Sequence, residues 1–314
     1  QGLYAPGSIF KIVTSYSGLE QSVISPKDEY ICNGEFYVKG RTDPYKCWKE
    51  GGHGRVNLLN AIKGSCNVYF YNVGMGVGVD QMHKYARMFG LGKITGIGLL
   101  NEKEGIIPSS KWKKREYNEP WYEGENPTMA IGQGFIIVTP LQVLNMINIL
   151  ANDGIWVPPK LFLKQEGPQP QRIKLKQEYL ELIRKGMVAV VNEIGGTARK
   201  VQFEEFTVAG KTATSQVVSH KTLETLDNAT KEKRELQNHA WFVAFGPVED
   251  PEISVLALVE HGGGGSKAAA PIVRKILSYY IDNLYNPVSG GANQAGLDSS
   301  NKIKFSDKLQ MAFN

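Results

Sequence analysis

A chain of 314 residues is long enough for one large domain or two ordinary ones. Its 42% hydrophobic and 21% charged residues are ordinary for a globular protein, and the net charge of +5 is mild, with lysine and arginine scattered, which disfavours nucleic-acid binding. No apolar run approaches the roughly 18 residues of a spanning helix, and three cysteines are too few for a disulfide scaffold.

The first eleven residues organise the rest. A Pro6-Gly7 turn delivers Ser8 to an expected helix, with Lys11 three residues on and on the same face. Ile9, Ile12, Val13, Tyr16 and Leu19 recur at helical spacing and would bury the segment. Burial and the positive end of the helix dipole both favour the neutral amine, which can then take the Ser8 proton. Two further Ser-x-x-Lys matches, Ser110 to Lys113 and Ser299 to Lys302, lack the Pro-Gly entry and read as solvated surface pairs.

Residues 21–54 look irregular, with short strands and turns. Residues 55–89 read as helices: Val56, Leu59 and Ile62 mark the first. A break at Gly64-Ser65-Cys66-Asn67 follows, the pattern resumes over 68–73, and Asp80 is placed to cap a third helix ending at Gly90. Residues 91–134 look loop-rich. Thr139-Pro140-Leu141-Gln142 signals a helix start, with threonine capping and glutamine completing a capping box. Another helix is expected over 177–191. Residues 211–218 read as a strand after Ala209-Gly210, 219–238 as a charged connector, and 239–245 and 253–259 as a buried antiparallel hairpin. A helix over about 266–281 and a flexible tail over 286–314 complete the chain. The fold class is α+β: an antiparallel sheet (roughly 206–260) flanked by helices, with a large helical lobe (roughly 21–200), all in one domain over 1–285. Three strands make a thin sheet, so further strands are expected in a preceding part of a longer protein.

Ser8-x-x-Lys11, Ser65-Cys66-Asn67 and Lys211-Thr212-Ala213 stand in the order of the three motifs of the penicillin-recognising serine acyltransferases, which the chain resembles. Gly52-His-Gly-Arg-Val56, Pro120-Trp-Tyr122, Ile131-Gly-Gln-Gly134 and Thr139-Pro-Leu-Gln142 make it similar to the elongation-type class B penicillin-binding proteins, over residues 1 to about 282. The resemblance implies the penicillin-binding transpeptidase (serine β-lactamase-like) fold and a D,D-transpeptidase that cross-links peptidoglycan stem peptides ending in D-Ala-D-Ala and is acylated by β-lactams. Ser8 would be the nucleophile and Lys11 the base. Ser65 would relay the proton to the leaving amine. Asn67 would hold Lys11 and the substrate amide, and Lys211 would hold charge near the site and help keep Lys11 neutral. Thr212 and Thr214 would bind the substrate carboxylate, and the N–H groups of Ser8 and Thr214 would form the oxyanion hole. Catalysis would need no cofactor. The third motif usually ends in glycine. Ala213 is expected to slow acylation or narrow the ligands accepted.

The resemblance further implies a periplasmic domain of an inner-membrane protein, working beside a lipid-linked glycan polymerase and shape-determining proteins. Competing activities on this fold are a D,D-carboxypeptidase or β-lactamase, for which Glu123 and Glu125 lie in the general region without a motif, and a sensor domain that acylates once. Cys32, Cys47, His53 and Cys66 are four zinc-ligand types within a short span. They read either as a closed structural zinc site or as a Cys32–Cys47 disulfide with a buried Cys66 and a surface His53.

Overall fold

The computed structural model describes residues 1–162, 164–217 and 233–285. The expected tail over 286–314, the Ser299–Lys302 pair and most of the charged connector lie outside the described residues.

Ser8 sits in a 3-10 turn, Gly7–Phe10, that runs into helix α1, Lys11–Glu20. Ser8 thus precedes the α-helix instead of opening it. Every residue of α1 from Lys11 to Leu19 is buried, so this is the central helix of the molecule and not an amphipathic surface one. Its small polar residues are satisfied locally: the hydroxyls of Ser15 and Ser17 donate to the carbonyls of Lys11 and Val13 (both 2.7 Å), and Thr14 donates to Ala130 O at 2.7 Å.

The irregular stretch contains four short strands, β1 (Tyr30–Cys32), β2 (Glu35–Phe36), β3 (Tyr45–Lys46) and β4 (Gly54–Val56), paired antiparallel as β1–β4 and β2–β3. Three helices follow: α2 (Leu58–Lys63), α3 (Asn67–Val77) and α4 (Val79–Met88). Asp80 does not cap α4, whose N-cap is Gly78; its carboxylate accepts instead from Ser110 N (2.8 Å) and Ser110 Oγ (2.7 Å).

The region read as loop contains two helices, α5 (Ser110–Tyr117) and α6 (Asn126–Ala130). Nor are Ser110 and Lys113 a solvated pair. Lys113 is 3% exposed, donates to both oxygens of Glu125 (2.6 and 2.5 Å) and lies over the Tyr122 ring at 4.5 Å. Helix α7 (Pro140–Ala151) starts where expected, with Thr139 Oγ1 accepting from Gln142 N at 3.2 Å. The Gln142 side chain does not close a capping box. It accepts from Gly92 N and donates to the carbonyls of Lys93, Lys103 and Glu104, pinning the 92–104 loop to the helix.

Strands β5 (Ile155–Trp156) and β6 (Gln171–Arg172) form a small ladder before α8, Gln177–Asn192. The main sheet has strand order β7-β8-β9, all antiparallel: β7 (Ala209–Ser215), β8 (His239–Gly246) and β9 (Ile253–Val259). Strand β7 begins two residues earlier than expected and ends at Ser215, three short of the expected 218. The C-terminal helix is broken into α9 (Gly265–Ala268) and α10 (Ala270–Tyr280), with Pro271 in the first turn of the second. Helix α8 packs on β7, and α9 and α10 cover β8 and β9. The central strand β8 is buried from Ala240 to Gly246, as its unbroken apolar run requires.

Candidate active site and an adjacent thiol–imidazole cluster

Two glycines let three backbones meet at the nucleophile. Gly7 has φ +52°, and a β-carbon on it would come within 2.9 Å of Thr214 O, so the Ser8 turn lies directly on the free edge of β7. Gly7 N donates to Gly132 O at 3.0 Å; Gly132 has φ +72°, and its β-carbon would fall 2.2 Å from Gly7 O. Ser8 is half-buried, and its N–H has no partner among the described residues, as befits a helix start. Thr214 O accepts from Gln133 Nε2 at 3.3 Å and so faces away from β8. Strand geometry turns the N–H of the same residue to that side. The N–H of Thr214 is thus turned toward the strand edge on which the Ser8 turn lies.

Lys11 and Lys211 are both fully buried. Lys11 Nζ lies 2.8 Å from Ser65 O, 3.1 Å from Ser65 Oγ and 2.7 Å from Asn67 Oδ1. Lys211 Nζ lies 3.0 Å from the same Ser65 Oγ and donates to Thr212 O at 3.1 Å. Ser65, at φ +52° between α2 and α3, therefore holds its hydroxyl between two amines. The direct Ser8–Lys11 contact expected from spacing is not made among the described residues: the amine turns to the three acceptors on Ser65 and Asn67. Burial lowers Lys11 to about 8, partly offset by the nearby thiols of Cys66 and Cys47. Burial also lowers Lys211 strongly, and the Lys11 charge pushes it further down. A pair this close disfavours holding two charges.

The Thr212 hydroxyl, expected to meet a carboxylate, is shared with Thr197 Oγ1 at 2.7 Å. Thr214 is exposed and is the hydroxyl open to a ligand. Ala213 is 3% exposed, and its β-carbon faces Gly7 under the nucleophile turn instead of standing in the open cleft. Asn67 Nδ2 donates to Lys46 O at 3.3 Å, so β3 steadies the second motif. Three residues given no role in the sequence reading belong here: Gln133 on Thr214 O, Thr197 on Thr212, and Trp48, whose indole N–H donates to Ser65 O at 3.0 Å. Gln133 stands inside the Ile131-Gly-Gln-Gly134 motif; Trp48 and Thr197 occupy irregular segments with no periodicity to mark them.

The thiols of Cys32, Cys47 and Cys66 and a His53 nitrogen all lie within 4.8 Å of one another. His53 Nδ1 is 3.6 Å from Cys32 Sγ and 3.4 Å from Cys47 Sγ. A tetrahedron with Zn–S near 2.3 Å has edges of about 3.8 Å, so this donor set fits the ion. His53 Nε2 lies 3.1 Å from Gly64 O, which holds the other ring nitrogen free for a metal. The three cysteines are unbridged, so Cys32 and Cys47 are not joined. Hydrogen bonds from Cys66 and His53 push the Cys47 thiol well below its ordinary value, while the Cys47 contact and burial push Cys66 up. Asn67 N donates to Cys47 Sγ at 3.4 Å, and Cys66 Sγ caps α3 through Tyr69 N at 3.5 Å. The cluster is thus built into the Ser65–Asn67 motif.

A sheet edge carrying Lys211 beside a serine turn, closed by a Ser-x-Asn turn, defines a serine acyltransferase fold of the penicillin-recognising class. The profile of the penicillin binding protein transpeptidase domain matches residues 1–278, and the chain belongs to that family. It is 36% identical over 293 residues to the peptidoglycan D,D-transpeptidase MrdA of Haemophilus influenzae, covering 90% of this chain and 45% of that protein. Among solved structures it is similar to Pseudomonas aeruginosa PBP2 in complex with WCK 5153 (TM-score 0.81, 32% identity, 90% of this chain and 62% of that one). It is also similar to Helicobacter pylori PBP2 in complex with MreC (TM-score 0.79, 33% identity, 89% and 50%). The chain spans about half the length of the curated relatives it matches, 45% in the Haemophilus case.

Proposed function

We propose that this chain is the acyl-transfer domain of a peptidoglycan D,D-transpeptidase acting in cell-wall elongation and rod-shape maintenance, and a target of β-lactams. The observation that carries the reading is the Ser65 hydroxyl held 3.1 and 3.0 Å from two buried amines, in a site with a serine whose N–H has no partner among the described residues. Ser8 Oγ attacks the carbonyl of the D-Ala–D-Ala bond, and its proton passes to the amine of Lys11 in its neutral form. The oxyanion is met by the N–H groups of Ser8 and Thr214; one such donor is worth roughly 10²–10³-fold. The C–N bond breaks, Ser65 hands a proton to the departing D-Ala amine, and Ser8 is left as an ester. An amine from a second stem peptide attacks that ester, loses its proton through the same groups, and frees Ser8. Positioned proton transfer of this kind contributes about 10²–10⁴-fold. Thr214 receives the substrate carboxylate, while Thr212, tied to Thr197, positions the strand.

Glu125 is committed to Lys113, which weighs against its serving as the water-activating base of a carboxypeptidase or β-lactamase. The decisive experiment is mass spectrometry after penicillin treatment. Expected is one long-lived adduct on the peptide containing Ser8, absent in Ser8→Ala. Fast turnover of the penicillin would establish a β-lactamase instead, and a folded protein without adduct would remove the acyl-enzyme altogether.

Cys32, Cys47, His53 and Cys66 would hold a structural zinc ion. When bound, it would staple residues 21–54 to the Ser-x-Asn turn without entering the chemistry. The same reading places the domain in the periplasm, within an inner-membrane protein whose partners are a lipid-linked glycan polymerase and shape-determining proteins. The MreC complex of the Helicobacter relative supports the latter. No helix among the described residues is long and apolar enough to cross a membrane.

A further inference from the structure

Ser65 holds a backbone conformation that few residues of its type adopt. Its φ is +52°, in the left-handed region, and it is 5% exposed. It follows the end of α2, where carbonyls lack donors from the helix itself. Each of those carbonyls is satisfied, and the donors come from different places. Asn60 O, Ala61 O and Ile62 O accept from Gly64 N (2.9 Å), Cys66 N (2.9 Å) and Ser65 N (3.2 Å), all within the turn. Lys63 O accepts from Thr197 N at 3.3 Å. The last two, Gly64 O and Ser65 O, share one donor. The indole N–H of Trp48 lies between them, at 3.1 and 3.0 Å.

The other contacts of these two carbonyls have second duties. His53 Nε2, 3.1 Å from Gly64 O, belongs to the thiol–imidazole cluster. Lys11 Nζ, 2.8 Å from Ser65 O, is the amine that exchanges protons in the proposed cycle, and a charged donor binds a carbonyl more strongly than a neutral one. The grip of Lys11 on Ser65 O therefore changes during the reaction. The indole N–H is a donor only and takes no part in proton transfer, so its grip does not change. Trp48 is 58% exposed, yet its polar edge is turned inward onto the turn, and its ring meets His53 edge-on at 5.4 Å.

We propose that Trp48 is a positioning residue for acyl transfer. Its indole N–H holds the Ser65 carbonyl, and through it the left-handed turn, so that Ser65 Oγ stays between Lys11 and Lys211 while protons move. The inference rests on the acyl-transfer reading, because that reading gives Ser65 Oγ its task as proton relay. Without the N–H, Ser65 O depends on Lys11 alone, and the turn loosens whenever Lys11 is neutral. Ser65 Oγ then leaves its contacts of 3.1 and 3.0 Å with the two amines. The loss falls on the chemical step and spares ligand binding, since Thr214 stands on β7 and not on this turn.

Two variants of the intact protein test the assignment. In one, benzothiophene replaces the Trp48 indole, which keeps the shape of the ring and removes the N–H. The other is Trp48→Phe. Stopped-flow reaction with a labelled penicillin separates the acylation rate constant from the dissociation constant of the complex that precedes it. Expected in both variants is an acylation rate constant about tenfold lower, with the dissociation constant within about twofold of the wild type. Amide hydrogen exchange over 64–67 should be several-fold faster in the benzothiophene variant. A full acylation rate in that variant, even with Trp48→Phe slow, would make ring packing the cause and overturn the assignment. A loss shared equally by the rate constant and the dissociation constant would do the same. The exchange measurement needs no penicillin. If the wild type is never labelled while exchange over 64–67 still rises on removing the N–H, the hold on the turn stands and the acyl-transfer reading falls; unchanged exchange removes the hold itself.

Discussion

At the scale of single residues, chemistry turns on two amines sharing the hydroxyl of Ser65. Lys11 lowered to about 8 is largely protonated at neutral pH, and it acts as a base only when neutral. The rate of acylation by a labelled penicillin should therefore climb from pH 6 through 8 and level off above about 9, a unit past the Lys11 pKa of about 8; a rate flat across that range would remove Lys11 as the base. Ala213 makes a second test. Its methyl is packed under the turn that carries Ser8, so Ala213→Gly should loosen that contact and raise the acylation rate several-fold. An unchanged rate would mean the methyl has no influence on the site. The three motif positions were legible from residue type and order. Their hydrogen bonds were not: a three-residue spacing says that Lys11 can face Ser8, but three acceptors on Ser65 and Asn67 outcompete one hydroxyl for a buried amine.

Among the elements, the irregular 21–54 segment and helix α5 depend most on their surroundings. Segment 21–54 has strands of two or three residues, too short to be stable alone, and its thiols converge with His53 and Cys66 on one point. Stripping metal with a chelator should lower the melting temperature by several degrees and reduce Ser8 acylation, because Cys66 lies between Ser65 and Asn67. Elemental analysis showing a metal-free native protein, or acylation indifferent to chelation, would count against the staple. Helix α5 reads as polar, Ser-Lys-Trp-Lys-Lys-Arg-Glu-Tyr, and has no apolar stripe to announce it. It is held by the contact of Lys113 with Glu125 inside rings of Tyr122, Trp121 and Phe135. Removing one partner of such a pair leaves an uncompensated charge, so Lys113→Met should cost about 3–5 kcal/mol in denaturant unfolding. A loss below 1 kcal/mol would place the pair among ordinary surface bridges.

For the molecule as a whole, β8 ties the sheet to the helices on both sides and α1 carries the nucleophile through the middle. Phe242 on β8 is 1% exposed, and its ring stands where a β-carbon on Gly210 would be 2.8 Å away, next to Lys211. Phe242→Ala should lower the melting temperature by about 10 °C while Ser8 still labels with penicillin at low temperature. A small thermal shift, or labelling lost in the folded variant, would mean that core and site are not separable in this way. Local pattern alone determined the helices with an apolar stripe, the antiparallel hairpin of β8 and β9 (though of its two strands only β8 is buried, β9 being half-buried except at Val255), and the order of the three catalytic motifs, because periodicity and turn chemistry act between near neighbours. Only the tertiary structure decided the partners of Lys11 and Lys211, the convergence of four metal-type ligands, the burial of Lys113 and the contact of Trp48 with Ser65. Each of these is set by groups far apart in the chain, whose meeting depends on packing and on the removal of water.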